Sequence, residues 1–278
     1  MSSHLPLLKD KILYNQHFGL KHAPLGKECS VLWDQGQIAE LAKQFKWLLQ
    51  SPGIGLLTAE PGIGKTAALR QIIRDLNPHQ YQVVYISETD FGRVEFYRNL
   101  ALSFGLVPAY KRSEVWRNLK DHISDLVVQK RIFPILIIDE AQNLNPLFMR
   151  DFPSFLNFAF DSVDRMTVWF VGHPALARLI DRPMHAALAS RIQVRHELHP
   201  ITEREPFKQL LAHAFEQAGC QHNLLSDTAV ELVRMASQGN PRLAHTLIVT
   251  ALRIATDKKL NHLPDDVIQD AIIVLQKN

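Results

Sequence analysis

Residues 59–66 read AEPGIGKT and stand between a short apolar run at 54–58 and a helix-like stretch, TAALRQIIRDL, at 66–76. Gly62 and Gly64 let backbone N–H groups turn inward, where they can bind phosphate oxygens at the N-terminus of a helix. An ordinary glycine-rich turn is the alternative. The strand before the loop and the helix after it favour a phosphate-binding loop instead.

The two residues that follow the glycines supply the polar groups that such a loop needs. Lys65 is placed to reach the β- and γ-phosphates of a nucleotide, and the Thr66 hydroxyl is a ligand for Mg²⁺. The pattern is that of a Walker A motif in which Ala59 replaces the usual first glycine. The residues expected to contact the nucleotide here are Pro61, Gly62, Ile63, Gly64, Lys65, Thr66 and Ala67.

A second motif, ILIIDE at 135–140, fits the strand that carries the acidic residues of a nucleotide-hydrolysing site. Asp139 ends the apolar run, so we expect it to join Thr66 in holding Mg²⁺. Glu140 follows, where a carboxylate can orient and polarise the attacking water. The two motifs together predict binding of ATP with Mg²⁺, and Glu140 favours hydrolysis over binding alone.

Two further catalytic groups are expected from the segment after residue 166. His173 follows an apolar run at 167–171 and is our candidate for sensing the γ-phosphate; the alternative is that it only caps the next turn. Arg191 is our candidate for an arginine that acts on the nucleotide of a neighbouring subunit, with Arg182 in reserve. A surface arginine in an ion pair is the alternative for Arg191.

Arg242 is expected to contact the nucleotide as well. Asn240 and Pro241 form a capped helix start, so Arg242 falls in the first turn, where a positive charge opposes the helix dipole. A nearby γ-phosphate would resolve that conflict, whereas a solvated arginine would only tolerate it.

The pattern of apolar residues predicts an α/β fold, a parallel sheet sandwiched by helices, followed by a small all-α lid. We place the α/β core with its N-terminal lead-in at 1–200 and the lid at 201–278. Strands are expected at 54–58, 82–87, 135–139 and 167–172. Helices are expected at 36–49, 66–76, 94–105, 114–129 and 148–160 in the core, and at 207–219, 226–239, 240 onward and 265–276 in the lid.

Composition sets broad limits on the chain. Its 278 residues are 46% hydrophobic and 21% charged, with a formal net charge of +3, an ordinary globular composition. Cys29 and Cys220 lie far apart without metal-ligand spacing, so we expect free thiols. The first residues lack an apolar signal core, and no apolar run is long enough to span a membrane. We therefore expect a cytoplasmic protein that does not enter a membrane.

These motifs together resemble the AAA+ ATPases grouped around the secretion protein ExeA and the transposition regulators TnsC, TniB and IstB. The resemblance covers nearly the whole chain and is carried by the Walker A loop, Phe18-Gly19-Leu20 with Pro24, LIIDEAQN at 136–143, VGHPAL at 171–176 and Gly239–Arg242. Ala59 and His173 depart from the group, which more often has glycine and glutamine there. The resemblance implies ATP-dependent self-assembly as a ring or filament, with nucleotide held between subunits.

Within this group, we favour the branch of the transposition regulators. ExeA-like proteins carry a transmembrane helix and a periplasmic region after the ATPase, whereas this sequence ends just after the expected lid. The resemblance then implies duplex DNA, a transposase and possibly a target-selector protein as partners of a homo-oligomer. An ExeA-like secretion or envelope ATPase without DNA binding is the alternative.

Contact with DNA requires cations on one face. The best cluster is Lys111, Arg112 and Arg117 with Tyr110 adjacent, and Arg93 is a weaker candidate. A solvated loop is the alternative for each of these residues.

Overall fold

The computed structural model describes residues 13–29, 31–220 and 222–277. The first twelve residues, which belong to the predicted lead-in, lie outside this part of the chain. Residue contacts separate the chain into two compact units. We call residues 36–61 and 68–198 the sheet unit, and we call 62–67 together with the described residues of 13–35 and 199–277 the helical unit.

The sheet unit contains five parallel strands in the order β2-β3-β4-β1-β5. The strands are β1 (Ile54–Ala59), β2 (Tyr81–Ile86), β3 (Phe133–Ile138), β4 (Thr167–Gly172) and β5 (Ile192–Leu198). Every residue of β1 and β4 is buried, as expected for central strands that helices cover on both faces. The predicted parallel α/β sheet, with the first four strands in their predicted places, is confirmed.

In the described part of the first two hundred residues, helices of at least seven residues lie before β1 and between successive strands, with two of them between β2 and β3. They are Gln37–Gln50, Lys65–Arg74, Arg93–Ser103, Arg112–Val128, Pro146–Phe155 and Pro174–Ile180. Helix Gln37–Gln50 buries Leu41, Phe45 and Leu48, and the Phe45 ring stacks on Trp169 of β4 at 5.3 Å between centroids. Burial of such aromatic and aliphatic side chains is the main favourable term that holds the helices on the sheet.

Two features of the sheet unit differ from the sequence expectation. The strand β5 was not predicted, since its sequence IQVRHEL alternates buried and exposed positions and carries three charged or titratable side chains. The helix expected at 148–160 spans Pro146–Phe155 instead. Tertiary contacts hold the next residues as a loop, because Lys120 donates to the Asn157 carbonyl oxygen at 2.5 Å and Arg191 binds the Asn157 side chain at 3.0 Å.

The helical unit holds the four C-terminal helices that the sequence predicts: Arg204–Gln217, Asp227–Ser237, Pro241–Asp257 and Asp265–Gln276. Ser226 caps the second, since its hydroxyl accepts from the Ala229 N–H at 2.9 Å. Tyr14, Leu20 and Ala23 are buried in the apolar cluster of these helices. The described part of the lead-in therefore groups with the C-terminal helices, whereas the sequence division placed it with the core.

Candidate functional site

The phosphate-binding loop adopts the backbone that its glycines allow. Gly62 and Gly64 have φ of +89° and +114°, a region that side-chain-bearing residues rarely enter. Helix Lys65–Arg74 begins directly after them, and the N–H groups of its first turn have no partners within the helix. At Gly64 a Cβ atom would have no heavy atom within 4 Å, so the loop backbone is open to an incoming group. Lys65 itself is 8% exposed.

The start of helix Pro241–Asp257 lies against this loop, within the helical unit. The Arg242 N–H donates to the Gly62 carbonyl oxygen at 3.3 Å and to Asn240 Oδ1 at 3.0 Å. Asn240 Oδ1 also accepts from the Leu243 N–H at 3.4 Å, which makes Asn240 the predicted helix cap. The structure thus brings Arg242 next to the phosphate-binding loop. In the described chain, no carboxylate pairs with the exposed Arg242 side chain.

The acidic residues follow β3 at the carboxyl edge of the sheet. Asp139 is 3% exposed, and its Oδ2 accepts from the Tyr85 hydroxyl at 2.7 Å. Glu140 has φ of +51°, which is uncommon for a residue other than glycine. The Thr89 hydroxyl donates to the Glu140 carbonyl oxygen at 2.9 Å, and the Glu140 N–H donates to Asp139 Oδ1 at 2.9 Å. The backbone of Glu140 is therefore fixed while its exposed carboxylate points away from the core.

His173 follows β4 at the same edge. Its Nδ1 accepts from the Ala175 N–H at 3.4 Å, so it caps helix Pro174–Ile180. Its Nε2 lies 2.7 Å from Glu60 Oε2, and a neutral ring protonated at Nε2 satisfies both contacts. The capping role that the sequence left as the alternative is present, together with a carboxylate contact that the sequence gave no sign of.

Gln142 lies between Glu140 and His173. Its Nε2 donates to Glu140 Oε2 at 2.6 Å, and its Oε1 accepts from the His173 N–H at 3.1 Å. Gln142 lies within the motif at 136–143, but the sequence pattern predicts no role for it. Its spacing of two residues after Glu140 was the available signal, because a tight turn after a strand brings such residues together.

Arg191 lies where the parallel strands begin, whereas Asp139, Glu140 and His173 lie where the strands end. It directly precedes β5, which runs parallel to β1. The seven residues of β5 give the strand a length of about 20 Å. The Nη2 atom of Arg191 lies 3.0 Å from Asn157 Oδ1 and 3.4 Å from Asp161 Oδ2. The ion pair that the sequence allowed as the alternative is present. Arg191 and Glu140 therefore lie at opposite ends of the parallel strands.

A cavity of about 340 Å³ surrounds this arginine, and its lining includes Asp161, Asp164 and Ser162. Burial, and then the neighbouring Asp161 carboxylate, raise the pKa of Asp164, and the charge of Arg191 opposes this shift. Arg182, the reserve candidate, is exposed. Its side chain makes no ion pair or hydrogen bond with any other described residue.

The four candidate DNA contacts fall into two classes. Arg93 and Arg112 both donate to Asp151 Oδ2, at 2.8 Å and 2.7 Å. Lys111 and Arg117 are exposed. The structure therefore brings Arg93 and Arg112 together on one carboxylate and leaves the other two cations facing solvent.

An aromatic residue accompanies the exposed cations. Tyr110 is 86% exposed, and the Arg98 guanidinium lies over its ring at 5.9 Å from the centroid. On the inner side of the segment, the Arg112 guanidinium lies over the Trp116 ring at 5.0 Å. This segment therefore carries an exposed aromatic ring beside exposed cations.

Two negative findings concern only the described residues. Within the ranges 13–29, 31–220 and 222–277, no group of three or more His, Cys, Asp or Glu residues is arranged to hold a metal ion. Magnesium sites at nucleotides use one or two protein ligands besides phosphate oxygens and water, so a site of that kind does not require such a group. None of the described helices is both long and apolar enough to cross a membrane.

Comparison with known proteins agrees with this arrangement. Residues 48–180 match the family model described as AAA domain. Over 247 residues the chain is 26% identical to general secretion pathway protein A of Aeromonas hydrophila. The match covers 86% of this chain and 44% of that protein, so the chain spans less than half the length of this curated relative.

Solved structures show the same fold at low sequence identity. Cdc6p from Pyrobaculum aerophilum is 18% identical with a TM-score of 0.67, and the match covers 92% of this chain and 70% of that one. The ORC1 protein of Aeropyrum pernix, solved in complex with DNA, is 17% identical with a TM-score of 0.69, covering 91% and 69%. The chain therefore has the P-loop AAA+ fold, and its residues 48–180 match an AAA domain.

Proposed function

We propose that this protein is a Mg²⁺-dependent ATPase that assembles on duplex DNA and regulates or targets a transposase. The observation that carries the ATPase part is the fixed backbone of Glu140 directly after the buried Asp139, at the edge where β1, β3 and β4 all end. In parallel α/β sheets, ligands bind outside the carboxyl ends of the strands.

The proposed roles follow from the chemistry of each residue. Lys65 and the backbone N–H groups of 62–66 bind phosphate oxygens, and Thr66 and Asp139 hold Mg²⁺. An ion held there would supply positive charge to the phosphate oxygens. Glu140 orients and polarises the attacking water.

Three residues act beyond these. His173 senses the γ-phosphate, and Arg242 couples the helical unit to it, which its place beside Gly62 supports. Arg191 of a neighbouring copy stabilises the charge of the transferring phosphoryl group. Its position at the edge opposite Glu140 supports action between copies, and hence a homo-oligomer, either ring or filament.

The DNA part rests on the exposed Lys111 and Arg117 beside Tyr110. The likeness to an ORC1 protein solved with DNA supports it at the level of fold. Phosphate contacts of this kind bind duplex DNA with little regard to sequence. A transposase and a target-selector protein would then recognise the exposed face of the assembly, and hydrolysis through Glu140 would release the DNA.

A second function is favoured by a different observation. General secretion pathway protein A of Aeromonas hydrophila matches 86% of this chain, which supports an ATPase of secretion or the cell envelope without DNA binding. The two proposals share the nucleotide chemistry and differ in whether DNA binds.

Sedimentation of the purified protein with duplex DNA tests the choice, with ATP, a non-hydrolysable analogue, ADP or no nucleotide present. Large DNA-containing species are expected with ATP or the analogue, and none with ADP. Absence of DNA binding under every nucleotide at low salt would reject the transposition proposal and favour the secretion one. A transposase that sediments only with the ATP-bound DNA assembly would identify the partner.

A further inference from the structure

Both the nitrogen and the oxygen of the Gln142 side-chain amide form hydrogen bonds. Its Nε2 donates to Glu140 Oε2 at 2.6 Å, while its Oε1 accepts from the backbone N–H of His173 at 3.1 Å. The partners determine the orientation of the amide, because a flipped amide would face the N–H with its own NH₂ group and the carboxylate with its oxygen. One residue therefore ties the side chain after β3 to the backbone after β4.

The neighbouring strand end continues this chain of contacts. His173 Nε2 lies 2.7 Å from Glu60 Oε2, and Glu60 directly follows β1. In the sheet, β4 lies between β3 and β1, so the three strand ends are adjacent. A continuous polar path thus runs from Glu60 through His173 and Gln142 to Glu140.

Gly172 provides the space that Gln142 occupies. A Cβ atom built on Gly172 would overlap Gln142 Oε1 and would lie 3.0 Å from Leu176 Cδ2. The Gly172 backbone does not require glycine, because its φ is not among the positive values. A side chain at this position would displace the Gln142 amide, so Gly172 leaves room for the placement of that amide.

Glu140 needs such an anchor. Its side chain is exposed, and an exposed glutamate samples several rotamers that would carry the carboxylate away from a reacting water. The bond from Gln142 is a charge-assisted one to a single oxygen, Oε2. A carboxylate has about four acceptor sites, so the other oxygen remains available to a water molecule.

We propose that Gln142 is a positioning residue for ATP hydrolysis: it holds one oxygen of Glu140 so that the other is presented to the attacking water, and it links that placement to His173. The inference rests on the proposed ATPase function and adds to it a residue that contacts no substrate. Misplacement of a catalytic group by about 1 Å lowers rates by about 100-fold. Loss of the amide therefore lowers kcat by about 10- to 100-fold with little change in nucleotide affinity.

The test compares Gln142→Met, which keeps length and removes the amide, with the wild type and Glu140→Gln. Steady-state hydrolysis gives kcat and KM, and titration with a fluorescent ATP analogue gives Kd. The expected result for Gln142→Met is a kcat reduced by 10- to 100-fold and a Kd within about twofold of wild type. An unchanged kcat in Gln142→Met would overturn the inference, as would a loss that lies wholly in Kd.

A second variant, Gln142→Glu, distinguishes a positioning role from a merely structural one through the pH dependence of kcat. Two carboxylates at this distance repel unless they share a proton. The ratio of its kcat to that of Gln142→Met is therefore expected to rise as the pH is lowered, and a ratio constant with pH would count against the inference. If the wild type itself fails to hydrolyse ATP, the proposed function fails; if it hydrolyses ATP and the Gln142 variants match it, only this inference fails.

Discussion

Gly62 and Asn240 approach so closely that a Cβ atom on Gly62 would lie 2.7 Å from Asn240 Oδ1. Asn240 cannot easily move away, because the same oxygen caps helix Pro241–Asp257. The pair therefore links the phosphate-binding loop to the helix start that carries Arg242. Any side chain at Gly62 has to displace a helix cap.

Gly62→Ala is expected to destabilise the protein by about 2–6 kcal/mol, because backbone strain and overpacking each contribute about 1–3 kcal/mol. Gly64→Ala is the matched control, since Gly64 also has positive φ but meets no heavy atom within 4 Å. It should lose only the strain component. Chemical denaturation of the two variants without nucleotide measures the difference, and equal losses would show that the contact with Asn240 is unimportant.

Glu140→Gln is expected to lower kcat by about 10²–10⁴-fold, the usual contribution of a general base, while nucleotide still binds. DNA-bound oligomers should then persist longer, because hydrolysis no longer releases the DNA. Phosphate release and sedimentation measure the two effects. The exposed Glu216 provides the control variant, Glu216→Gln. Normal hydrolysis by Glu140→Gln would show that another residue activates the water.

Complementation between subunits tests Arg191. Arg191→Ala lacks the arginine but retains the phosphate-binding loop, whereas Lys65→Ala lacks the loop lysine but retains Arg191. Each variant alone should hydrolyse ATP at least about 10³-fold more slowly than wild type. A mixture should regain activity, because Arg191 from one copy serves the nucleotide of the other. An inactive mixture would argue against action between copies, and a fully active Arg191→Ala would shift attention to Arg182.

Lys111→Ala and Arg117→Ala should each weaken DNA binding. Each should reduce by about 1 the magnitude of the slope of log affinity against log salt, since one phosphate contact is lost. Fluorescence anisotropy over a salt series measures the slope. Lys46→Ala, at another exposed lysine, controls for net charge. Equal slopes in all the proteins would place the DNA elsewhere on the surface.

His185 gives a prediction on pH. It is 1% exposed, and neither ring nitrogen has a hydrogen-bond partner in the described chain. Burial, followed by the charges of Arg182 and Arg150, lowers the pKa of His185. Protons therefore bind the unfolded state more tightly, and the free energy of unfolding falls as pH drops below about 6.5, the ordinary histidine value.

His185→Leu removes that contribution, so the wild type should lose stability more steeply than this variant between about pH 7.5 and 5.5. Denaturation across this range measures the difference in slope. His79→Gln, at an exposed histidine, controls for loss of a histidine elsewhere. Parallel curves for wild type and His185→Leu would contradict the prediction.

The pattern of apolar residues was sufficient to predict the sheet type, four strands and the C-terminal helices. The strand β5 was not predicted, because its alternating, charged sequence is typical of an edge strand and provides no continuous apolar run. The loop after Phe155 was predicted as helix for another reason. Its apolar spacing continues the helix, and only distant partners, Lys120 and Arg191, hold it open.

Within the candidate site, the sequence identified residue types and could not give their pairings. Arg93 and Arg112 look like free cations in the sequence, yet both bind Asp151, which follows them by tens of residues. The contact between His173 and Glu60 depends on β4 lying beside β1. Strand order is a property of the folded sheet, so no local pattern could reveal it.

That strand order also dictates when the sheet can form during synthesis. The strand β1 pairs with β4 and β5, and its residue Ile54 aligns with Val168, over a hundred residues later. A growing chain therefore exposes the apolar strand β1 until most of the protein has emerged, since neither neighbour exists earlier. Formation of such long-range pairs is slow and leaves the chain open to aggregation. We expect a nascent chain that stops before β4 to need a chaperone.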